Sequence, residues 1–125
     1  MIIRVMPKHI LGSILLLLGA LGAYAQSMPT VNIVNNTGYT IFYLFISPSE
    51  SDYWGEDVLA ADEVILDGET FIYQLTAPLN RVSVYDIRLI DEEGDDYIKW
   101  EVTLTNNNRI VFTLGDLEWE EDWDI

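Results

Sequence analysis

The sequence contains no cysteine and a single histidine, His9. Without cysteine, no disulfide can constrain the chain and no thiolate can act as a nucleophile or metal ligand. Because no histidine follows position 9, the rest of the chain offers neither a histidine-assisted nucleophile nor an ordinary zinc site. Beyond position 8 the only lysine is Lys99, which we expect to be a solvated amine. The sequence therefore predicts a non-enzymatic protein, without catalytic residues, whose fold depends on apolar burial.

Basic residues are also scarce. Six Lys and Arg residues stand against 21 Asp and Glu residues, which gives a formal net charge of −15. Such a chain repels phosphate backbones and anionic lipid headgroups. We therefore expect no nucleic-acid partner, and a protein or glycan ligand remains the expected class of partner.

The N-terminal segment has the three parts of an export signal. Arg4 and Lys8 precede an apolar run over residues 10–21, and Ala23-Tyr24-Ala25 has the small-x-small pattern of a cleavage site. The run is shorter than the roughly 20 residues that a helix needs to cross a bilayer. The pattern predicts a signal peptide over residues 1–25, cleavage near Ala25, and a secreted or periplasmic mature protein with no membrane span.

After Thr30, apolar residues recur at the spacing of β-strands. The pattern predicts seven strands, over residues 31–35, 40–46, 63–66, 69–75, 81–90, 97–104 and 109–114. Short strands separated by turn residues indicate an all-β domain, here a seven-stranded antiparallel β-sandwich, immunoglobulin-like or transthyretin-like. A small barrel is the alternative. The sandwich would span residues 26–114 and be followed by an acidic, aromatic tail over residues 115–125.

Three of these strands carry specific expectations about their position, their facing or their regularity. The strand over 40–46 is apolar on both faces, which favours a central position in a sheet. In the strand over 97–104, alternation places Trp100 inward and Lys99 outward. In the strand over 81–90, a change of phase near Val84 suggests a β-bulge there.

The segment from Ser47 to about Ala61 is a long polar loop that carries aromatic residues. Long loops on a rigid scaffold are common recognition surfaces. We therefore take Tyr53, Trp54 and Asp57 as candidate binding residues. The alternative, which the pattern favours, is that Trp54 is a plug over the open end of the sandwich.

Several carboxylates surround a predicted turn over residues 91–96. If the strands alternate in direction, this turn lies at the same end as Asp67 and Asp116, opposite the Trp54 loop. Clustered oxygen ligands suit calcium, so Asp67, Asp91, Asp95 and Asp96 are candidate metal ligands. The spacing does not match an EF-hand loop, and such a run more often forms a solvated acidic turn, so we expect no cofactor and keep calcium as the alternative.

The order of short motifs resembles a group of small exported bacterial proteins, of the kind found in spirochaetes, with one uncharacterised β-domain. The motifs here are Asn36-Thr37-Gly38, Ser47-Pro48-Ser49, Trp54-Gly55-Glu56-Asp57 and Tyr85-Asp86-Ile87-Arg88. The resemblance covers nearly the whole chain after residue 25. It implies an exported sandwich and supplies no activity.

Together these patterns predict a non-enzymatic interaction module of the bacterial envelope or exterior. One alternative is a structural component that assembles through strand edges. Another is a β-domain that calcium stabilises.

Overall fold

A computed structural model of the chain describes residues 28–119 and has an all-β fold. Its six strands are β1 (Thr30–Asn36), β2 (Ile41–Pro48), β3 (Thr70–Gln74), β4 (Val84–Asp91), β5 (Asp96–Thr103) and β6 (Asn108–Thr113). A 3₁₀ turn, Leu114–Asp116, follows β6. The predicted signal peptide over residues 1–25 lies outside the described residues. Between residues 28 and 119, no helix has the length and apolar character needed to cross a bilayer.

The strands form two sheets of three strands each, ordered β3-β1-β6 and β2-β4-β5. All pairs are antiparallel except β1 with β6, which run parallel. The expectation of a wholly antiparallel sandwich is therefore wrong at this pair. Parallel neighbours need a long connection, and the first and last strands have the whole intervening chain to provide it.

The predicted strand over residues 63–66 is not formed in the described part of the chain. Ile65 makes only an isolated antiparallel bridge to Ile41. The Ile41 and Ile65 N–H groups each donate to the other residue's carbonyl oxygen, at 2.9 and 3.0 Å. The six remaining predicted strands are present, with ends that differ by at most three residues.

The inner faces of the two sheets share one hydrophobic core. In the first sheet, Ile33 of β1 lies between Phe71 of β3 and Ile110 of β6. In the second sheet, Leu89 of β4 lies between Leu44 and Tyr97. Fourteen buried apolar residues form this core. No buried side-chain nitrogen or oxygen among the described residues lacks a hydrogen-bond partner.

Strand β2 is an outer strand of its sheet, so the prediction of a central position is wrong. Its free edge is instead covered by the loop that follows it. The Leu44 N–H donates to Asp57 Oδ1 at 2.9 Å, and the Val58 N–H donates to the Leu44 carbonyl oxygen at 2.8 Å. A covered edge cannot template pairing with another chain.

Strand β5 contains a bulge that reverses the predicted facing of its side chains. Tyr85 of β4 pairs with Val102, and Ile87 pairs with Lys99. Two β5 residues, Trp100 and Glu101, therefore lie opposite one β4 residue, Asp86. One extra residue shifts the alternation, so Trp100 lies on the outer face and is 57% exposed. The bulge expected near Val84 is not in β4, which begins there.

Lys99 lies on the inner side of β5, contrary to the prediction that it faces solvent. Its Nζ lies 2.9 Å from Asp116 Oδ1 and 5.3 Å from the centre of the Phe112 ring. The lysine therefore covers an aromatic core residue and pairs with the 3₁₀ turn. This pairing holds the beginning of the predicted tail against β5.

Asn35 is a buried polar link between the two sheets. Its Nδ2 donates to the carbonyl oxygens of Tyr39 and Ile65, at 2.7 and 2.9 Å. Its Oδ1 accepts from the Thr37 N–H and hydroxyl, at 3.1 and 2.7 Å. One side chain thus connects β1, the turn into β2, and the segment that contacts β2.

We predict that Asn35→Asp lowers the free energy of unfolding by about 2–5 kcal/mol, because the Tyr39 and Ile65 carbonyls lose their donors to a buried charge. Urea denaturation measures this change. Asn36→Asp adds the same charge at an exposed neighbouring position and should cost less than about 0.5 kcal/mol. Equal losses in the two variants would contradict the link assigned to Asn35.

Candidate functional site

The loop between β2 and Ile65 is fixed at both ends to β2. At one end, the Ser47 hydroxyl donates to the Tyr53 carbonyl oxygen at 2.7 Å. At the other, Asp57 Oδ1 accepts the N–H groups of Leu44 and Leu59, at 2.9 and 3.0 Å. Between these anchors, Gly55 has a φ of +81°, which favours glycine. The loop therefore presents Tyr53 and Trp54 from a constrained backbone.

Trp54 packs on the outer face of the β2-β4-β5 sheet. Its ring centre lies 5.6 Å from that of Trp100, and the two rings are tilted by 43°. The Arg88 guanidinium lies 5.8 Å from the Trp54 ring centre and 5.7 Å from that of Phe45. These contacts place Trp54 on a sheet face and not over the open end of the sandwich, which was the alternative expectation.

Two charged side chains of β4, Arg88 and Asp86, stabilise the arrangement of Trp54 and Trp100. Arg88 Nε donates to Asp96 Oδ1 at 2.7 Å, which holds the guanidinium under Trp54. Asp86 Oδ1 accepts the Ser49 hydroxyl at 2.7 Å and the Glu101 N–H at 2.8 Å. The Asp86 carboxylate thus satisfies the backbone of the β5 bulge that turns Trp100 outward.

The loop separates two depressions in the surface. A cavity of about 180 Å³ lies beside the Trp54–Trp100 pair. It is lined by Ser47, Ser51, Asp52, Tyr53, Trp54, Asp86 and Trp100. On the other side of the loop, an open depression of about 540 Å³ extends to Tyr73 of β3. Tyr53 and Trp54 contribute to both.

The structure brings two of the three predicted binding residues together and gives the third a different position. Tyr53 is 80% exposed, and Trp54 is half-buried beside Trp100. Asp57 lines only the larger depression, and its carboxylate anchors the loop to β2. It is therefore a positioning residue in this geometry.

The sequence pattern missed Trp100, Arg88 and Asp86 as members of this site. Simple alternation placed Trp100 in the core. One signal was available. Tyr97 and Val102 are an odd number of positions apart, so both can face the core only if the strand contains an extra residue between them. The motif Tyr85-Asp86-Ile87-Arg88 also puts Asp86 and Arg88 on the same face of β4.

The acidic end opposite this loop is organised by Asp91. Asp91 is 2% exposed, and its Oδ1 accepts the N–H groups of Glu93 and Asp95 at 2.8 and 3.0 Å. Its Oδ2 accepts the hydroxyl of the buried Tyr97 at 2.7 Å. This carboxylate closes the turn between β4 and β5 and has no free oxygen facing solvent.

The other candidate metal ligands each have a separate environment. Asp67 accepts the Gly38 N–H at 2.8 Å, and Asp96 pairs with Arg88. Asp95 is exposed. Within the part of the chain that the structure describes, no three acidic side chains form a group able to hold a metal ion. The described carboxylates therefore do not converge on one point.

Burial raises the pKa of the Tyr97 hydroxyl, and the hydrogen bond to the Asp91 carboxylate raises it further. Burial also raises the pKa of Tyr85. Both phenols therefore stay protonated in the folded protein at pH values where an unfolded chain would lose their protons.

No protein-family model, curated protein or solved structure matches the chain. The chemistry of the site is therefore taken from its own side chains. Two indole rings, a phenol and two carboxylates around a small cavity suit non-covalent recognition.

We predict that the free energy of unfolding falls above about pH 10, because the unfolded chain releases phenol protons that folded Tyr97 and Tyr85 retain. Below that pH this contribution to stability is complete. Tyr97→Phe should reduce the fall, and should itself cost about 1–3 kcal/mol at neutral pH because Asp91 loses a buried donor. Urea denaturation as a function of pH tests both effects.

The matched control for this prediction is Tyr53→Phe, which removes the hydroxyl of an exposed tyrosine. It should leave the pH dependence and the neutral-pH stability within about 0.5 kcal/mol of the wild type. A Tyr97→Phe variant with the full wild-type decline at high pH would contradict the assignment.

We also predict that millimolar calcium and a chelator give the same melting temperature, because Asp67, Asp91 and Asp96 already accept hydrogen bonds within the fold. Differential scanning calorimetry measures both midpoints. A midpoint raised by calcium in the wild type, and no longer raised in Asp95→Asn, would instead establish a cation site at this end.

Proposed function

We propose that the mature protein is an exported, non-enzymatic interaction module of the bacterial envelope or exterior. In this proposal the export signal over residues 1–25 is removed near Ala25, and the sandwich binds a protein or glycan ligand. The binding surface is the aromatic face, defined as Tyr53, Trp54, Trp100 and the other residues that line the cavity beside the two tryptophans. The pattern of the N-terminal segment and the resemblance to small exported bacterial proteins support the first part.

The observation that carries the proposal is the exposure of aromatic side chains on constrained backbone. Tyr53 is 80% exposed and Trp100 is 57% exposed, although both could bury large apolar area. Tyrosine and tryptophan dominate the energetics of binding surfaces because they bury much area with few rotatable bonds. The hydrogen bonds at Ser47 and Asp57 reduce the entropy that this loop would lose on binding.

Residue chemistry also supports binding over catalysis. The chain has no cysteine, and no histidine follows His9. Asp86 lies at the site but accepts two hydrogen bonds through one oxygen. A hydrolytic role would need a second carboxylate that faces Asp86 across a substrate cleft. Asp52 is the other carboxylate here, but the cavity that it lines with Asp86 has a volume of only about 180 Å³.

A second candidate function, assembly through strand edges, is favoured by the other sheet. Strands β3 and β6 are its outer strands. Ile72 on the outward side of β3 is 65% exposed. The backbone N–H and C=O groups at the free edge of an outer strand, beside an exposed apolar residue, can pair with a further strand.

We predict that affinity capture from an envelope extract loses its ligand when the bait carries Trp54→Ala or Trp100→Ala. Each substitution removes an aromatic contact that typically contributes at least about 2 kcal/mol at a binding surface, or roughly 30-fold in affinity. Captured material is measured by quantitative mass spectrometry and by binding to a glycan array. Circular dichroism and the melting temperature establish that each bait is folded.

The control is Ile72→Ala, which removes an exposed apolar side chain from the opposite sheet. This bait should capture the same ligand as the wild type. Capture that is unaffected by the tryptophan substitutions would contradict the proposal. Sedimentation that depends on concentration and changes in Ile72→Ala would favour assembly.

A further inference from the structure

We infer that the cavity beside the Trp54–Trp100 pair binds an alkylammonium group, such as the side-chain amine of a lysine on a partner protein. The inference rests on the proposed function and specifies the chemistry of its ligand. Its basis is the combination of aromatic walls and carboxylates in one small cavity.

The size of the cavity suits a head group. At about 180 Å³ it lies below the roughly 300–1,000 Å³ of pockets that enclose drug-sized molecules. Trp54, Trp100 and Tyr53 all contribute to the walls of the cavity, and the two indole rings contact each other, with centres 5.6 Å apart. A compact group with a few carbon atoms can contact these walls.

The charge of the cavity favours a cation. Asp52 and Asp86 both line it. Among residues 28–119, the ion pairs are Arg88 with Asp96 and Lys99 with Asp116, so neither lining carboxylate has a cationic partner there. A neutral sugar would leave both charges uncompensated, and an anion would be repelled. The net charge of −15 adds long-range attraction for cations.

The fold itself shows that this indole can contact a cation. The Arg88 guanidinium lies 5.8 Å from the centre of the Trp54 ring. Arg88 is not part of the cavity lining, and Asp96 compensates its charge. An ammonium group over an aromatic face gains about 2- to 30-fold in affinity relative to an uncharged group of the same shape.

The experiment titrates the full mature protein with three probes. Choline carries a quaternary ammonium group, and n-butylammonium carries a primary one. The third probe, 3,3-dimethyl-1-butanol, is the neutral isostere of choline. The readout is the position of the indole N–H signals in nitrogen-15 NMR spectra, assigned with Trp54→Phe and Trp100→Phe. We expect saturable shifts of the Trp54 and Trp100 signals with both amines, and about tenfold weaker binding of the neutral isostere.

The variants are Asp52→Asn and Asp86→Asn, which remove charge while keeping side-chain shape. Asp86→Asn also retains an oxygen acceptor for Ser49 and the β5 bulge. Each should weaken amine binding about threefold or more. Asp62→Asn is the matched control, because Asp62 is exposed and does not line the cavity, and it should bind within about twofold of the wild type.

Three results would overturn the inference: no saturable shift with either amine, equal binding of the neutral isostere, or equal weakening by Asp62→Asn and Asp52→Asn. Binding of choline alone would assign the cavity to free quaternary amines and overturn the lysine source. If amine binding is absent while ligand capture still depends on Trp54 and Trp100, only this inference fails. If that dependence is also absent, the proposed function fails with it.

Discussion

Burial of the two inner sheet faces against each other is the interaction on which the rest of the structure depends. The chain has no disulfide to restrict its unfolded state, so apolar burial must offset the conformational entropy of folding. Three strands per sheet give a small core, and polar links such as Asn35 and Asp91 close one of its ends. Each of these buried side chains has partners for its polar atoms, because an unpaired buried group would cost a large part of the total stability.

The bulge in β5 connects this core to the candidate site. If alternation continued unbroken from Val102, Trp100 would face the core and Tyr97 would face outward. The extra residue moves Trp100 to the outer face, where the loop after β2 brings Trp54 against it. Asp86 supports the distortion by accepting the Glu101 N–H. The binding surface therefore depends on a local departure from regular pairing, a common origin of sites at sheet surfaces.

The excess of acidic residues has a structural as well as an electrostatic consequence. Several carboxylates accept backbone N–H groups at turns, loop anchors and the bulge. They include Asp57, Asp67, Asp86, Asp91 and Asp116, together with Glu63, Glu69 and Glu92. Carboxylates used in this way stabilise the irregular backbone between strands. Asp52 has no such role among the described residues, and its charge is therefore available to the cavity that it lines with Asp86.

The sequence by itself determined the all-β class, six of the strands, the turn at Asn36-Thr37-Gly38, and the loop that carries Tyr53 and Trp54. Strand periodicity and turn chemistry are local properties, so a single chain displays them. Only the tertiary structure decided that β1 pairs parallel with β6, that residues 63–66 make one bridge, and that Trp100 and Arg88 meet Trp54. Alternation tells which residues share a face, but it does not identify the neighbouring strand or the position where one extra residue reverses the phase. Those choices follow from how the two sheets fill a common core.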